Sequence, residues 1–218
     1  EDGIRDVAVT GVQTCALPIL RGLRYVYLPL HKEPKLALNF LSPAWHSQKN
    51  TIQRLSSFLP SGHRLIVRDH RLNLGRRPTG YLRDLAALPG VMLVHPLDDQ
   101  FKYLRNASLI VTDNGSSGWE GLLLRRPVLT LAPTFYDRPG LAHAVQDVNT
   151  LADTLFRLLR HPPQHDAVDY DNRLGWLLDA EAETSFGVEA AQHDRCLDAL
   201  AEMLAARPTT ALRAVGAA

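Results

Sequence analysis

Cysteine is nearly missing from this chain, with two among 218 residues. That scarcity excludes a disulfide framework or a cysteine-based zinc site, and it fits a reducing, cytosolic setting. Long apolar runs are missing too: none approaches the roughly 20 residues that a transmembrane helix needs. Neither sign of charge dominates, since 24 Lys and Arg stand against 23 Asp and Glu. Such a balance is too weak for a dedicated nucleic-acid binder and is compatible with a small anionic ligand. His161, His165 and His193 lack the spacing of metal ligands, so no metal site is expected. No internal repeat is visible.

Residues 1–19 read as foreign to the rest. The runs 1–6 and 9–19 resemble the translated ends of a short-read sequencing-library adapter, with Val7-Ala8 between them as an index. On that basis natural sequence starts near Leu20 or Arg21, inside a gene, and the chain is a fragment. The run 15–20 is then no signal-peptide core, and Cys196 is the one native cysteine. Without the first nineteen residues, 23 basic side chains face 20 acidic ones, a net charge of +3 with histidine neutral. About two hundred native residues suit one sizeable domain with its own core.

What is present is an alternation of short apolar strands with helical segments. The first strand covers 25–28 and runs into Pro29-Leu30-His31. A helix over 48–58 carries Ile52, Leu55 and Leu59 at helical spacing, and Ser61-Gly62 breaks it. A second strand at 64–68, a helix at 81–88 stopped by Pro89-Gly90, and a third strand at 91–94 follow. A short helix at 98–105 leads to a fourth strand from Leu109. A polar loop comes next, then a helix whose first turn carries Glu120 and which ends at Arg125-Arg126-Pro127. A fifth strand spans 128–131. Helices are expected at 150–160, 171–178 and 190–206, with a frayed tail at 207–218. The fold class is α/β: a Rossmann-like parallel sheet with helices on both faces, plus C-terminal helices. The domain boundaries are 20–165 for the α/β domain and 166–206 for helices packed on it.

Ligands of such sheets sit beyond the carboxyl ends of the strands. The run from Thr112 to Glu120 lies at one of those ends. A strand–loop–helix junction presents N–H groups and a positive helix end to a phosphate. Gly115 and Gly118 allow close backbone approach, Ser116 and Ser117 add hydroxyls, and Glu120 can reach a ribose hydroxyl.

The run from Tyr27 to Pro34, the strand end Arg68-Asp69-His70, and Gly75-Arg76-Arg77-Pro78 recur in one order with further pieces. These are Leu88-Pro89-Gly90-Val91, residues 112–120, and Phe135-Tyr136-Asp137. Over about residues 22–140 the chain resembles capsule polysaccharide biosynthesis proteins, including the bacterial Kdo transferases of capsule assembly. The resemblance implies a glycosyltransferase of the GT-B fold, with this segment as its C-terminal, donor-binding half. Two departures stand out. Arg68-Asp69-His70-Arg71 replaces the family's usual Lys-Glu-His-Pro, and Gly115-Ser116-Ser117-Gly118-Trp119-Glu120 replaces its frequent Gly-Thr-Val-Gly-Trp-Glu.

The resemblance implies transfer of a sugar from a nucleotide-activated donor, CMP-Kdo among the candidates, into capsule or surface polysaccharide. His70 and Glu33 are the candidate catalytic residues. Arg68, Arg77, Thr112, Gly115, Ser116, Ser117, Gly118, Glu120, His31 and Tyr136 are the candidate donor-binding residues. For a keto-acid sugar, Arg76 or Arg77 would fork onto the sugar carboxylate. No cofactor or metal is called for. The implied partners are a nucleotide sugar, a saccharide or glycolipid acceptor, and a missing N-terminal half of the same protein, with no nucleic acid. The implied location is cytoplasmic, with peripheral contact at the inner membrane. The fragment alone is expected to be inactive.

Each residue also has a structural alternative. Glu120 could be a helix-start carboxylate, His70 a satisfied loop histidine, and the arginines a solvated cluster. Residues 135–137 either stack over a base or form a turn, and Trp119 reads as core packing. Two other functions stay open: an enzyme like UDP-GlcNAc 2-epimerase, and a non-catalytic capsule assembly or export module.

Overall fold

The computed structural model describes residues 20, 22–33, 42–145, 147–164 and 166–184. The expectations for 1–19, for a helix at 190–206 and for the tail lie outside the described residues. The chain divides into two compact units at residue 174, and the sheet belongs to the first.

Six parallel strands form that sheet: β1 (Arg24–Pro29), β2 (His63–Arg68), β3 (Val91–Val94), β4 (Leu109–Thr112), β5 (Val128–Thr130) and β6 (Ala142–Ala144). Their order is β3-β2-β1-β4-β5-β6. The helices are α1 (Gln48–Phe58), α2 (Tyr81–Ala86), α3 (Phe101–Leu104), α4 (Ser116–Leu123), α5 (Leu151–Arg160) and α6 (Ala167–Thr184). This is a Rossmann-like α/β fold, as the strand–helix alternation predicted.

Alternate strand residues feed two different layers. Val26, Leu65, Leu109 and Val91 stand in register across four strands. They share one core with Ile52 and Leu55 of α1, Leu85 of α2, and Leu151, Leu155 and Leu158 of α5. On the other face, Tyr27 stacks on Tyr103 of α3 at 5.7 Å, and Tyr25 donates to the Tyr103 carbonyl at 2.8 Å. There α4 lies close on the sheet: a Cβ built on Gly121 would stand 2.4 Å from Ile110 Cδ1. β4 is buried at every position, as a strand covered on both faces must be.

Local chemistry explains the helix limits. Ser47 caps α1 by accepting from the Asn50 amide, and Leu59, ahead of Pro60, is already extended, as a residue before proline prefers. At the end of α4, Arg125 N–H donates to Leu122 O and Arg126 N–H to Gly121 O, both at 2.9 Å. This is the Schellman pattern, with Arg125 at φ 54° where glycine usually sits. The Arg125 guanidinium bonds Asp171 at 2.6 Å.

Three elements differ from expectation. β6 is absent from the sequence reading, because Ala-His-Ala carries no apolar run and only pairing with β5 makes it a strand. The helix after β3 shrinks to Phe101–Leu104, since Pro96 and Leu97 form a turn closed by the Asp98 amide on His95 O and Asp99 Oδ1 accepts the Phe101 amide at the helix start. α6 starts at Ala167 rather than 171 and continues to Thr184, with Asp166 Oδ1 accepting the Val168 and Asp169 amides at its start.

Candidate functional site

From β1 the chain winds outward through β2 and β3. It then returns to the other flank of β1 as β4 and winds outward again through β5 and β6. Such a reversal opens a crevice at the carboxyl ends of the two central strands. His31 follows β1 at this crevice, and residues 113–117 follow β4.

The β1 side is a polar clamp. The His31 carbonyl accepts from Gln48 Nε2 at 3.0 Å, Asn73 Nδ2 at 3.1 Å and Arg77 Nη2 at 3.3 Å. The His31 amide donates to Gln48 Oε1 at 2.7 Å. Arg77 forks onto Asp69, Nε to Oδ2 at 3.0 Å and Nη2 to Oδ1 at 2.8 Å, while Nη1 pairs with Glu33. Its guanidinium also lies over the Tyr81 ring at 4.7 Å. Burial works against the Arg77 charge, yet the hydrogen bonds and charges of Asp69 and Glu33 carry its pKa above the ordinary value. Asn73 closes the circuit on Asp69 Oδ1 at 3.0 Å.

This arrangement revises two expectations. Arg77 is neither a solvated charge nor an open fork for a sugar carboxylate, because carboxylates of the protein already occupy it. Glu33 accepts from the Gln48 amide at 3.3 Å as well as from Arg77, so its oxygens are tied into the same clamp and not held ready as a base. Arg76 is exposed.

His70, at the end of β2, keeps one free function. Its Nδ1 accepts the Leu72 amide at 3.2 Å, so the neutral ring carries its proton on Nε2. Desolvation lowers its pKa; Asp69 opposes this, while Arg68, Arg71 and Arg77 add to the lowering. A neutral donor at Nε2 results. Arg68 gives Nη2 to the Pro96 carbonyl at 2.7 Å, which joins the ends of β2 and β3.

The β4 side is built differently, from glycine packed against aromatic rings. Gly115 is the N-cap of α4, with no side-chain cap bond, and its amide donates to Thr112 Oγ1 at 3.2 Å. A Cβ on Gly115 would stand 2.5 Å from His31 Cε1. A Cβ on Gly118 would stand 2.5 Å from the Tyr136 hydroxyl. Both glycines therefore admit the protein's own side chains, not only a ligand. Tyr136 donates to the Gly115 carbonyl at 2.6 Å, and burial, then Asp137, raise its pKa. It is a buried prop under the junction, so the expected stacking of Tyr136 on a base does not fit its position. Trp119 is buried, as core packing predicted, and its neighbour Phe135 is 46% exposed.

Glu120 sits one turn deeper than expected, because α4 begins at Ser116. It is no helix-start carboxylate: it is 3% exposed and accepts from Gln100 Nε2 at 2.7 Å. Ser117 Oγ reaches the other end of the same amide at 3.5 Å. The helix start also changes which amides face an anion. Those of the first turn, at Ser116 and Ser117, have the suitable geometry, whereas Gly118 N–H already bonds Gly115 O at 3.2 Å.

Four residues of this edge escaped the sequence reading: Gln48, Asn73, Gln100 and Asp113. Asp113 Oδ2 lies 3.6 Å from His31 Nε2, linking the two sides of the crevice. Asp113 stood within the quoted run, beside the glycines, and was the one with a visible signal. Among the described residues no cluster of His, Cys, Asp and Glu could hold a metal ion, and no helix is long and apolar enough to cross a membrane.

Fold and edge together define a Rossmann-like α/β domain with a polar site at the β1/β4 divide. The chain belongs to the capsule polysaccharide biosynthesis protein family, whose sequence model matches residues 24–157. No curated protein matches it in sequence. It is similar in fold to KpsC, beta Kdo 2,7 transferase, of Thermosulfurimonas dismutans, with 15% identity over 66% of this chain and 46% of that one, TM-score 0.46. The beta Kdo 2,4 transferase of the same organism's KpsC gives 13% identity over 79% and 53%, TM-score 0.46. UDP-GlcNAc 2-epimerase from Neisseria meningitidis, bound to UDP-GlcNAc, gives 17% over 79% and 45%, TM-score 0.46. The chain spans about half the length of these structures.

Proposed function

We propose that this domain holds the nucleotide-activated sugar for a glycosyltransferase that builds capsule or surface polysaccharide. The observation that carries this is Glu120: a buried carboxylate held by Gln100 beside the uncapped start of α4. A nucleotide laid across that start would meet first-turn amides and the Ser116 and Ser117 hydroxyls with its phosphate. Its ribose would exchange Gln100 for its own hydroxyl on Glu120. Donors aimed at a leaving phosphate act most strongly where charge develops, and His31, Arg68 and the His70 Nε2–H supply them from the β1 and β2 ends.

In this reading the sugar's anomeric carbon is attacked by an acceptor hydroxyl and the nucleotide phosphate departs. CMP-Kdo is the donor we favour within a wider class of nucleotide sugars, and the acceptor is a saccharide or glycolipid. The acceptor-binding residues belong to a second, N-terminal Rossmann-like half, the setting is the cytoplasmic side of the inner membrane, and this chain alone binds without turning over. No metal or other cofactor is invoked.

The test is calorimetric titration of the chain with CMP, UDP and their sugar conjugates. Binding of a nucleotide that weakens in Glu120→Ala by about 1–3 kcal/mol supports the reading. Epimerisation of UDP-GlcNAc without acceptor would replace it with the epimerase alternative. Refusal of every nucleotide, with capture of a polysaccharide instead, would replace it with the assembly module.

A further inference from the structure

Three donors on one backbone carbonyl are more than its two lone pairs call for, and at His31 they come from three separate segments. Gln48 opens α1, Asn73 ends the short 3-10 turn after β2 (Arg71–Asn73), and Arg77 lies in the loop before α2. Gln48 is 3% exposed and Asn73 5% exposed, and the Arg77 side chain 8%. Burying polar side chains is unfavourable unless each is bonded, so the fold devotes three of them to fixing one residue. That residue's ring keeps 16% of its surface exposed and rests on the α4 cap, in a space that exists only because position 115 has no Cβ.

We propose that Arg77 is a positioning residue: with Asn73 and Gln48 it clamps the His31 backbone, and the imidazole so placed is the β1-side contact for the donor phosphate. This rests on the donor-binding reading above. It gives Arg77 a role one residue removed from the ligand. Asp69 and Glu33 serve the clamp by orienting the guanidinium, so that one Nη2 reaches both Asp69 and the His31 carbonyl. Precise placement of a contact residue by such a supporting shell is what preorganisation requires.

The test is a double-mutant cycle with CMP and UDP as probes, using Arg77→Lys, Asn73→Ala and His31→Ala in the full chain. Lysine retains the charge but not the fork, which lowers the risk of unfolding. Arg77→Lys should weaken nucleotide binding about tenfold in the native background, and within about twofold once His31 is alanine. Equal losses in both backgrounds would overturn the proposal, because Arg77 would then act independently of His31. A second readout needs no ligand: in histidine-labelled protein, the His31 ring resonances should shift in Arg77→Lys and Asn73→Ala while those of His63 and His143 stay. Unmoved His31 resonances would overturn the clamp by themselves. Failure of the native chain to bind either nucleotide would overturn the donor reading, and with it the phosphate contact, whatever the resonances do.

Discussion

The two flanks of the crevice hold backbone in place by opposite means. On the β1 flank, charged and amide side chains converge on His31, and geometry is set by hydrogen bonds. On the β4 flank, Gly115 and Gly118 press against His31, Thr112 and Tyr136, and geometry is set by contact between atoms. The first flank should respond to lost charge, the second to added volume. A site assembled this way has Arg77 committed to protein carboxylates, which leaves Arg68, the histidines and the α4 amides to face an anion.

The largest effect should come from Arg77→Ala. It strands Asp69, which is 6% exposed, beside Glu33 without a cation, and breaking a buried pair from one side costs about 3 kcal/mol. Thermal unfolding should then fall by about 6–12 °C. A loss under 1 kcal/mol would mean that the β1 clamp carries little. Gly118→Ala follows at about 2 kcal/mol, since the new methyl meets a tyrosine that is 1% exposed and bonded to Gly115. An unchanged Tm there would show that the β4 flank yields, against the contrast drawn above. Gln100→Ala takes a donor from the buried Glu120 carboxylate, so it should cost about 1 kcal/mol in thermal unfolding and alter nucleotide affinity, measured calorimetrically, by a similar amount.

The smallest effect is one of pH. His70 is held below its usual pKa by desolvation, reinforced by three arginines. The unfolded chain therefore takes up a proton near pH 6.5 while the folded chain does not, and His70 contributes stability that is lost as pH falls below that point. NMR titration should give a His70 midpoint under 6.5, rising when CMP is added if its Nε2–H meets the phosphate. A midpoint above 6.5 in the free protein would reverse the assignment of His70 as a neutral donor.

Much of the scaffold was legible because each strand from β1 to β5 carries a short apolar run, with Gly, Pro or Asp close by at one end or the other. The limits of α1, residues 48–58, followed from the helical spacing of Ile52, Leu55 and Leu59 and from the Ser61-Gly62 break. β6 was hidden because alanine carries no strand signal of its own. At the site, sequence placed the right loops together but could not assign partners. Which carboxylate would claim Arg77, and that Tyr136 would turn inward to Gly115, depend on contacts between segments far apart in the chain. Glu120 was misplaced by one turn, since the glycines and serines fix where a helix begins only to within a few residues.

The central claim is that an anion of an activated sugar docks at the start of α4 between the two flanks. A crystal structure of the chain soaked with a CMP or UDP sugar tests it most directly. Phosphate oxygens within hydrogen-bond distance of the Ser116 and Ser117 amides, with ribose on Glu120 in place of Gln100, is the expected result. A nucleotide bound elsewhere, with Gln100 still on Glu120, would contradict it.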